Sequence, residues 1–167
     1  MPQFGSSESN VLRSPSVVSR RERRIIVFDT NVFVRALMSR SKTSPNYRVL
    51  RLWLVERELQ LVVSAGLLSE YLEVFEQVLG MTPGVIDEWR QRFTADTRVS
   101  SVNLGTRYKL SRDPDDNLVL ATAAAGRASW LLTNDKDLLE LPDESKKLFR
   151  FEITTPHQFL QSATVGD

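Results

Sequence analysis

The 167-residue sequence contains no cysteine and a single histidine, His157. Without cysteine, the chain has no disulfide, no thiolate nucleophile and no zinc–thiolate site. One imidazole is too few for a zinc site built from several histidines, and a Ser-His-Asp triad would have to use His157. Carboxylates are therefore the side chains that remain for catalysis.

Long hydrophobic runs and a strong net charge are also missing. No segment approaches the roughly 20 apolar residues that cross a bilayer, so we predict no membrane-spanning segment. The amino-terminal residues lack the apolar centre of a secretory signal, and we expect a cytoplasmic protein. Because the formal net charge is only +1, contacts to nucleic acid would depend on local basic clusters.

Length and composition predict one globular domain. A chain of 167 residues with 41% hydrophobic residues is sufficient for one ordinary core. Residues 1–23 are rich in Ser, Pro and Arg, and we predict that they form a disordered basic extension. The folded domain is predicted over residues 24–161, followed by a short tail at 162–167.

Strand and helix patterns alternate along this domain. Short apolar runs predict strands at 24–28, 59–64, 98–102, 130–133 and 151–154. An amphipathic helix is predicted from Leu67 to Gly80, and a helix buried on nearly every side is predicted before Gly126. The alternation predicts an α/β fold in which a parallel sheet is covered by helices on both faces.

Acidic residues follow the predicted strands. Asp29 and Asp135 come directly after strands, and Asp116 lies at the start of the buried helix. Because ligands bind outside the carboxyl ends of parallel strands, we expect these carboxylates to converge. Their repulsion would be relieved by one or two hard divalent ions, Mg²⁺ or Mn²⁺, which prefer oxygen ligands.

Three aspartates crowd the segment before the buried helix. Pro114 disfavours helical geometry at the residue before it, so Asp113 is predicted to be the N-cap. Asp115 and Asp116 then point in directions about 100° apart. We expect Asp116 to be the ligand, because it shares a helical face with Leu120, and Asp115 to point away from the ion.

Four motifs occur in order along the chain. They are Asp29-Thr30-Asn31-Val32, Glu70 on the helix after the second strand, Asp116-Asn117-Leu118-Val119-Leu120-Ala121-Thr122-Ala123, and Leu132-Thr133-Asn134-Asp135. Together with a closing Thr155-Pro156-His157-Gln158-Phe159-Leu160, they resemble the acidic motifs of PIN-domain ribonucleases. The resemblance covers residues 24–160. It is closest to the branch of toxin components from bacterial toxin–antitoxin systems.

The resemblance implies a fold, an activity and partners. The fold is a three-layer α/β/α sandwich with a five-stranded parallel sheet. The activity is that of a metal-dependent endoribonuclease, which hydrolyses phosphodiester bonds in an RNA substrate. Asp29, Glu70, Asp116 and Asp135 match the four acidic ligands of the family. The toxin branch further implies a cognate antitoxin protein as partner and a homodimer.

Other polar residues receive supporting roles from the same resemblance. Asn31 and Thr133 match residues that orient ligands or water. Asp113 and Asp115 are the uncertain members of the acidic set beside Asp116, and Asp137 is a similar alternative to Asp135.

Basic residues near the predicted acidic edge are candidates to bind RNA phosphates. Arg35, Arg40 and Lys42 follow the first strand, and Arg112 precedes the aspartate cluster. Each of them taken alone has an alternative as a solvated surface charge.

The acidic residues also have structural alternatives when they are taken one at a time. Asp29 could end a strand, Asp116 and Asp135 could stabilise the first turn of a helix, and Glu70 could be a solvated helix residue. The ordered set favours metal ligation.

Two other functions remain open. One is a PIN-like RNA- or protein-binding module with a weak metal site. The other is a phosphotransfer receiver or small phosphatase, which also clusters aspartates at strand ends. Receivers fit less well, because the sequence lacks their acidic pair after the first strand and their lysine after a late strand.

Overall fold

The computed structural model describes residues 22–104 and 114–165, and describes side chains at 22–104 and 117–162. The elements in chain order are β1 (Arg24–Phe28), α1 (Thr30–Met38), α2 (Pro45–Leu54), β2 (Leu59–Ser64), α3 (Ala65–Gln77), α4 (Pro83–Ala95), β3 (Val99–Val102), α5 (Pro114–Ala125), β4 (Trp130–Leu132), α6 (Lys136–Leu139), α7 (Asp143–Lys146), β5 (Glu152–Thr154) and α8 (Pro156–Val165). The predicted alternation of strands and helices is confirmed.

The five strands form one parallel sheet in the order β3-β2-β1-β4-β5. The chain first builds outward from β1 to β3, and it then returns to the other side of β1 with β4. The strand order therefore reverses beside β1. In parallel α/β sheets, ligands bind in the crevice at such a reversal, outside the carboxyl ends of the strands.

The sheet is buried on both faces. Ile26, Val27 and Phe28 in β1 are all 0% exposed, and successive strand residues point to opposite faces. On one face, Phe28 makes edge-on ring contacts with Phe33 of α1 and Trp53 of α2, at centroid distances of 5.4 and 6.4 Å. The predicted α/β/α sandwich with a five-stranded parallel sheet is therefore confirmed.

Helix α5 covers the opposite face. The pairing of Ile26 with Leu61 directs Val62 and Ser64 away from the Phe28 face. The Ser64 hydroxyl lies 2.8 Å from the Thr122 hydroxyl of α5, and both side chains are buried. These contacts fix α5, which carries the predicted ligand segment, against β2.

The turn that ends α5 depends on a glycine. A Cβ atom at Gly126 would lie 2.2 Å from Cγ1 of Val62 and 3.0 Å from its Cβ atom. Real Cβ atoms do not come so close to a neighbour, so any larger residue would push α5 away from β2.

Two sequence-based boundaries differ from the structure. A short tail was predicted over residues 162–167, but α8 continues to Val165, so residues 162–165 are helical. Gln158 and Thr155 cap each other's backbone N–H groups at its start, and Phe159 is buried in the core. Arg23, from the predicted extension, donates to the side-chain oxygen of Gln60 at 3.0 Å. Residues 1–21 lie outside the described residues.

Every helix in residues 22–104 and 114–165 is too short or too polar to cross a membrane.

We predict that Gly126→Ala lowers the free energy of unfolding by about 1–3 kcal/mol, the usual cost of overpacking. Val62→Ala removes the clashing methyl groups, so the Gly126→Ala penalty should shrink in that background. Gly84→Ala is the matched control, because a Cβ there meets nothing within 4 Å. Urea unfolding of the wild type, the two single variants, the double variant and the control measures this. Equal penalties in the two backgrounds would contradict the packing account.

Candidate active site

Asp29 lies where β1 and β4 meet at the carboxyl edge of the sheet. Its backbone N–H donates to the carbonyl of Leu132 at 2.9 Å, which continues the pairing of the two strands. Its side chain is the N-cap of α1 and accepts from the Thr30 N–H at 2.8 Å. Asp29 is only 6% exposed. The carboxylate is therefore held inside the crevice that the strand order creates.

The second oxygen of Asp29 accepts two side-chain hydrogen bonds. The Thr133 hydroxyl donates to Oδ2 at 2.6 Å, and the Asn31 amide donates to the same atom at 3.0 Å. A carboxylate offers about four acceptor positions. Donors from the described residues fill three of these positions, and no donor from the same residues reaches the fourth.

Burial raises the pKa of Asp29 above its ordinary value, and the negative charge of Asp135 raises it further. Hydrogen bonds from Thr133, Thr30 and Asn31 act in the opposite direction. The ionised carboxylate is therefore costly in this position, and a bound cation would offset that cost. Two neighbouring acids with oxygen donors only are a donor set that fits a hard divalent ion.

Thr30 connects Asp29 to Glu70. Its backbone N–H donates to Asp29, and its hydroxyl donates to Oε2 of Glu70 on α3. The next residue on α3, Tyr71, donates its hydroxyl to the carbonyl of Phe28 at the end of β1. Burial raises the pKa of Tyr71 well above its usual value, and the charges of Asp29 and Glu70 contribute. The structure thus brings Glu70 and Asp29 together at the end of β1.

Asp135 follows β4 on the same edge. Its backbone N–H donates to the Thr133 hydroxyl at 3.0 Å, so Thr133 contacts both Asp29 and Asp135. Its Oδ1 caps α6 by accepting from the Asp137 N–H at 2.9 Å. The capping role that the sequence left open is therefore present. The cap uses only the Oδ1 atom of Asp135. That Asp135 is also a metal ligand stays a prediction.

Asn31, Asn46 and Asn134 form a chain of amides beside the acids. Asn31 Oδ1 accepts from both the backbone N–H and the side-chain amide of Asn134, each at 3.1 Å. The same Asn134 amide donates to Oδ1 of Asn46 on α2 at 2.9 Å. The predicted supporting residues Asn31 and Thr133 thus both hold Asp29.

Sequence reasoning missed Thr30, Tyr71, Asn46 and Asn134. Thr30 and Asn134 lie inside two of the acidic motifs, so their positions in those motifs were a signal for them. Asn46 lies 88 residues from its partner Asn134, and no local pattern predicts that contact.

The third acid lies where the backbone alone is described. Helix α5 begins at Pro114, as predicted, so Asp115 and Asp116 are in its first turn. Leu120, four residues after Asp116, is buried, but so is Val119, four residues after Asp115. The choice of Asp116 over Asp115 therefore stays a prediction.

The predicted phosphate-binding residues Arg35, Arg40 and Lys42 are exposed, and no acidic side chain in the described ranges pairs with them. Arg112 and Asp113 lie outside the described residues. Among side chains 22–104 and 117–162, no three acidic or histidine side chains are spaced to hold a metal ion. Asp116 is not among these side chains, so the four-acid set stays untested.

We predict that Thr133→Val lowers the stability of the metal-free protein by roughly 1.5–3 kcal/mol at neutral pH, because a charged acceptor loses its donor. The loss raises the pKa of Asp29 further above its ordinary 3.8. Once falling pH has protonated Asp29 in both proteins, the charge-dependent part of the penalty disappears. Urea unfolding in EDTA from pH 8 to pH 4 measures this.

Thr133→Ser is the matched variant, since it keeps the hydroxyl and should restore most of the stability. A penalty of the same size at every pH would show that the Thr133 hydroxyl does not stabilise the ionised form of Asp29.

Comparison with known proteins identifies a family. The model of the PIN domain family matches residues 25–137. An uncharacterized protein from Methanocaldococcus jannaschii is 30% identical over 145 residues, which cover 81% of this chain and 89% of that protein.

Two solved structures are similar in shape. One is VapBC2 from Rickettsia felis bound to a DNA fragment from its promoter, with 17% identity, a TM-score of 0.46, and coverage of 77% of this chain and 96% of that chain. The other is the RRP44 PIN domain of T. brucei, with 14% identity, a TM-score of 0.46, and coverage of 87% and 83%. Because the family model matches more than half of the sequence, the chain belongs to the PIN domain family.

Proposed function

We propose that this protein is a metal-dependent endoribonuclease whose ligands are Asp29, Glu70, Asp116 and Asp135. The observation that carries the proposal is the position of Asp29, a buried carboxylate at the strand-order reversal that lies close to Asp135 and is linked through Thr30 to Glu70. Membership of the PIN domain family supports a nuclease activity. The absence of cysteine and of a second histidine leaves carboxylates for this chemistry.

One or two ions, Mg²⁺ or Mn²⁺, would be held by these carboxylates. When bound, such an ion supplies positive charge for the developing charge on phosphate and activates water for attack. The chain's own residues orient the ligands. Thr133 and Asn31 hold Asp29, while Thr30 holds Glu70.

The reaction is hydrolysis of an RNA phosphodiester. Water adds across the bond between phosphorus and the 3′-oxygen, which leaves a 3′-hydroxyl and a 5′-phosphate. The exposed Arg35, Arg40 and Lys42 are proposed to contact the substrate phosphates, and Arg112 completes that set.

We propose further that the chain is the toxin of a toxin–antitoxin pair and acts as a homodimer with a cognate antitoxin. The support is the sequence resemblance, in particular the ordered acidic motifs and the closing Thr155-Pro156-His157-Gln158-Phe159-Leu160.

A second candidate is a PIN-like module that binds RNA or protein and hydrolyses nothing. It is favoured by the finding that no three acids among side chains 22–104 and 117–162 are spaced for a metal. Activity and metal binding separate the two functions.

We predict that Asp29→Asn lowers Mn²⁺- or Mg²⁺-dependent cleavage of an RNA panel by at least about 100-fold, since even residues that only orient a ligand are worth 10–100-fold. Asp87→Asn is the control, because Asp87 is exposed and pairs with Arg90 on the surface. The rate of product formation on a gel measures both. Full activity of Asp29→Asn would remove Asp29 from the ligand set.

We predict that Mn²⁺ raises the melting temperature of the protein, because an ion that binds only the folded state stabilises it by mass action, by about 2.7 kcal/mol at 100 times Kd. Glu70→Gln should reduce this response. Glu73→Gln should keep it, because Glu73 is exposed one turn further along α3. A wild-type melting temperature that does not change across the titration would favour the binding module.

A further inference from the structure

The amide chain beside Asp29 has a fixed orientation. The backbone N–H of Asn134 can only donate, so the atom of Asn31 that it contacts must be the oxygen Oδ1. The Asn31 nitrogen then faces Oδ2 of Asp29, which accepts. A flipped Asn31 amide would set a donor against the Asn134 N–H and an acceptor against the carboxylate.

This orientation continues to the next two amides. Asn134 uses its side-chain nitrogen for both Asn31 and Asn46, so its own oxygen is not used in these bonds. Asn46 accepts this hydrogen bond with its side-chain oxygen, so its side-chain nitrogen is not used in the chain of amides. Within residues 22–104 and 117–162, no donor reaches Asn134 Oδ1 and no acceptor reaches Asn46 Nδ2. Both side chains are half-buried.

The Asn46 nitrogen is thus a donor and the Asn134 oxygen is an acceptor, and these two uncharged groups lie next to the acidic crevice. Half-buried polar groups need partners from water or a ligand. A phosphate oxygen accepts only, so it could satisfy Asn46 but not Asn134. A nucleotide offers both kinds of group, either on a base edge, which side-chain amides recognise, or at the ribose 2′-hydroxyl.

The amide pair lies between the basic loop and the acids. The loop between α1 and α2 is ordered by its own hydroxyls, with Ser41 and Thr43 in contact at 2.7 Å, and Ser44 caps α2. It exposes Arg40 and Lys42 and leads directly into Asn46. An RNA strand held by this loop would therefore pass Asn46 on its way to Asp29.

We propose that Asn46 and Asn134 form a nucleotide subsite that recognises a paired donor and acceptor of the RNA substrate. The subsite rests on the proposed ribonuclease function and adds a source of substrate specificity to it. Asn31 fixes the amide pair relative to Asp29, so the recognised nucleotide lies beside the cleaved phosphate.

The test measures binding of fluorescein-labelled decamers of adenylate, cytidylate and uridylate, each as RNA and as DNA, by anisotropy with Ca²⁺ in place of Mg²⁺. Asn46→Asp keeps the acceptor for Asn134 but loses the donor. It should lower affinity for the preferred decamer by about 10-fold, the effect of one good base contact. Asn103→Asp, an exposed position after β3, controls for the added charge.

Comparison of the six decamers identifies which group of the nucleotide is recognised. Loss of preference among the three RNAs indicates a base edge, and loss of preference for RNA over DNA indicates the 2′-hydroxyl. A wild-type protein without either preference overturns the subsite. The subsite is also overturned if Asn46→Asp lowers the affinity for all six decamers by the same factor as Asn103→Asp. If wild type still cleaves RNA with Mn²⁺ and Asp29→Asn does not, the proposed function survives that result.

Discussion

The carboxylate of Asp29, buried between the ends of β1 and β4, is the feature on which the rest of the site depends. Its backbone belongs to the strand pairing, and its side chain caps α1 and accepts from Thr133 and Asn31. A buried charge is costly unless it is hydrogen-bonded and paired. Three donors stabilise it in part, and the raised pKa shows that they do not cancel the cost of burial.

The topology explains why the site lies at this edge. Strand order reverses beside β1, so the chain after β1 and the chain after β4 leave the sheet next to each other. Thr133 contacts Asp29 and Asp135 across this gap, and Tyr71 fixes α3, with Glu70, to the end of β1. Asp29 and Thr133, which lie 104 positions apart in the sequence, thereby share one small region.

Much of this arrangement could be predicted from local patterns. Three features follow from rules that involve neighbouring residues only: the apolar strand before Asp29, the strand before Asp135, and the helix that begins at Pro114. The contacts of Thr30 with Glu70 and of Asn134 with Asn46 could not be predicted, because they depend on how two helices pack against the sheet. The end of α8 was missed as well: Phe159 and Leu160 are among its buried residues, and the helix continues beyond them to Val165.

The central claim is that the acidic edge binds a divalent ion through Asp29. A crystal structure with Mn²⁺, in which anomalous scattering locates the ion, tests it most directly. The account predicts an anomalous peak within bonding distance of Asp29, with Glu70, Asp135 and an aspartate of α5 around it. An ordered site without a peak at saturating Mn²⁺, or a peak bound only elsewhere on the chain, would contradict it.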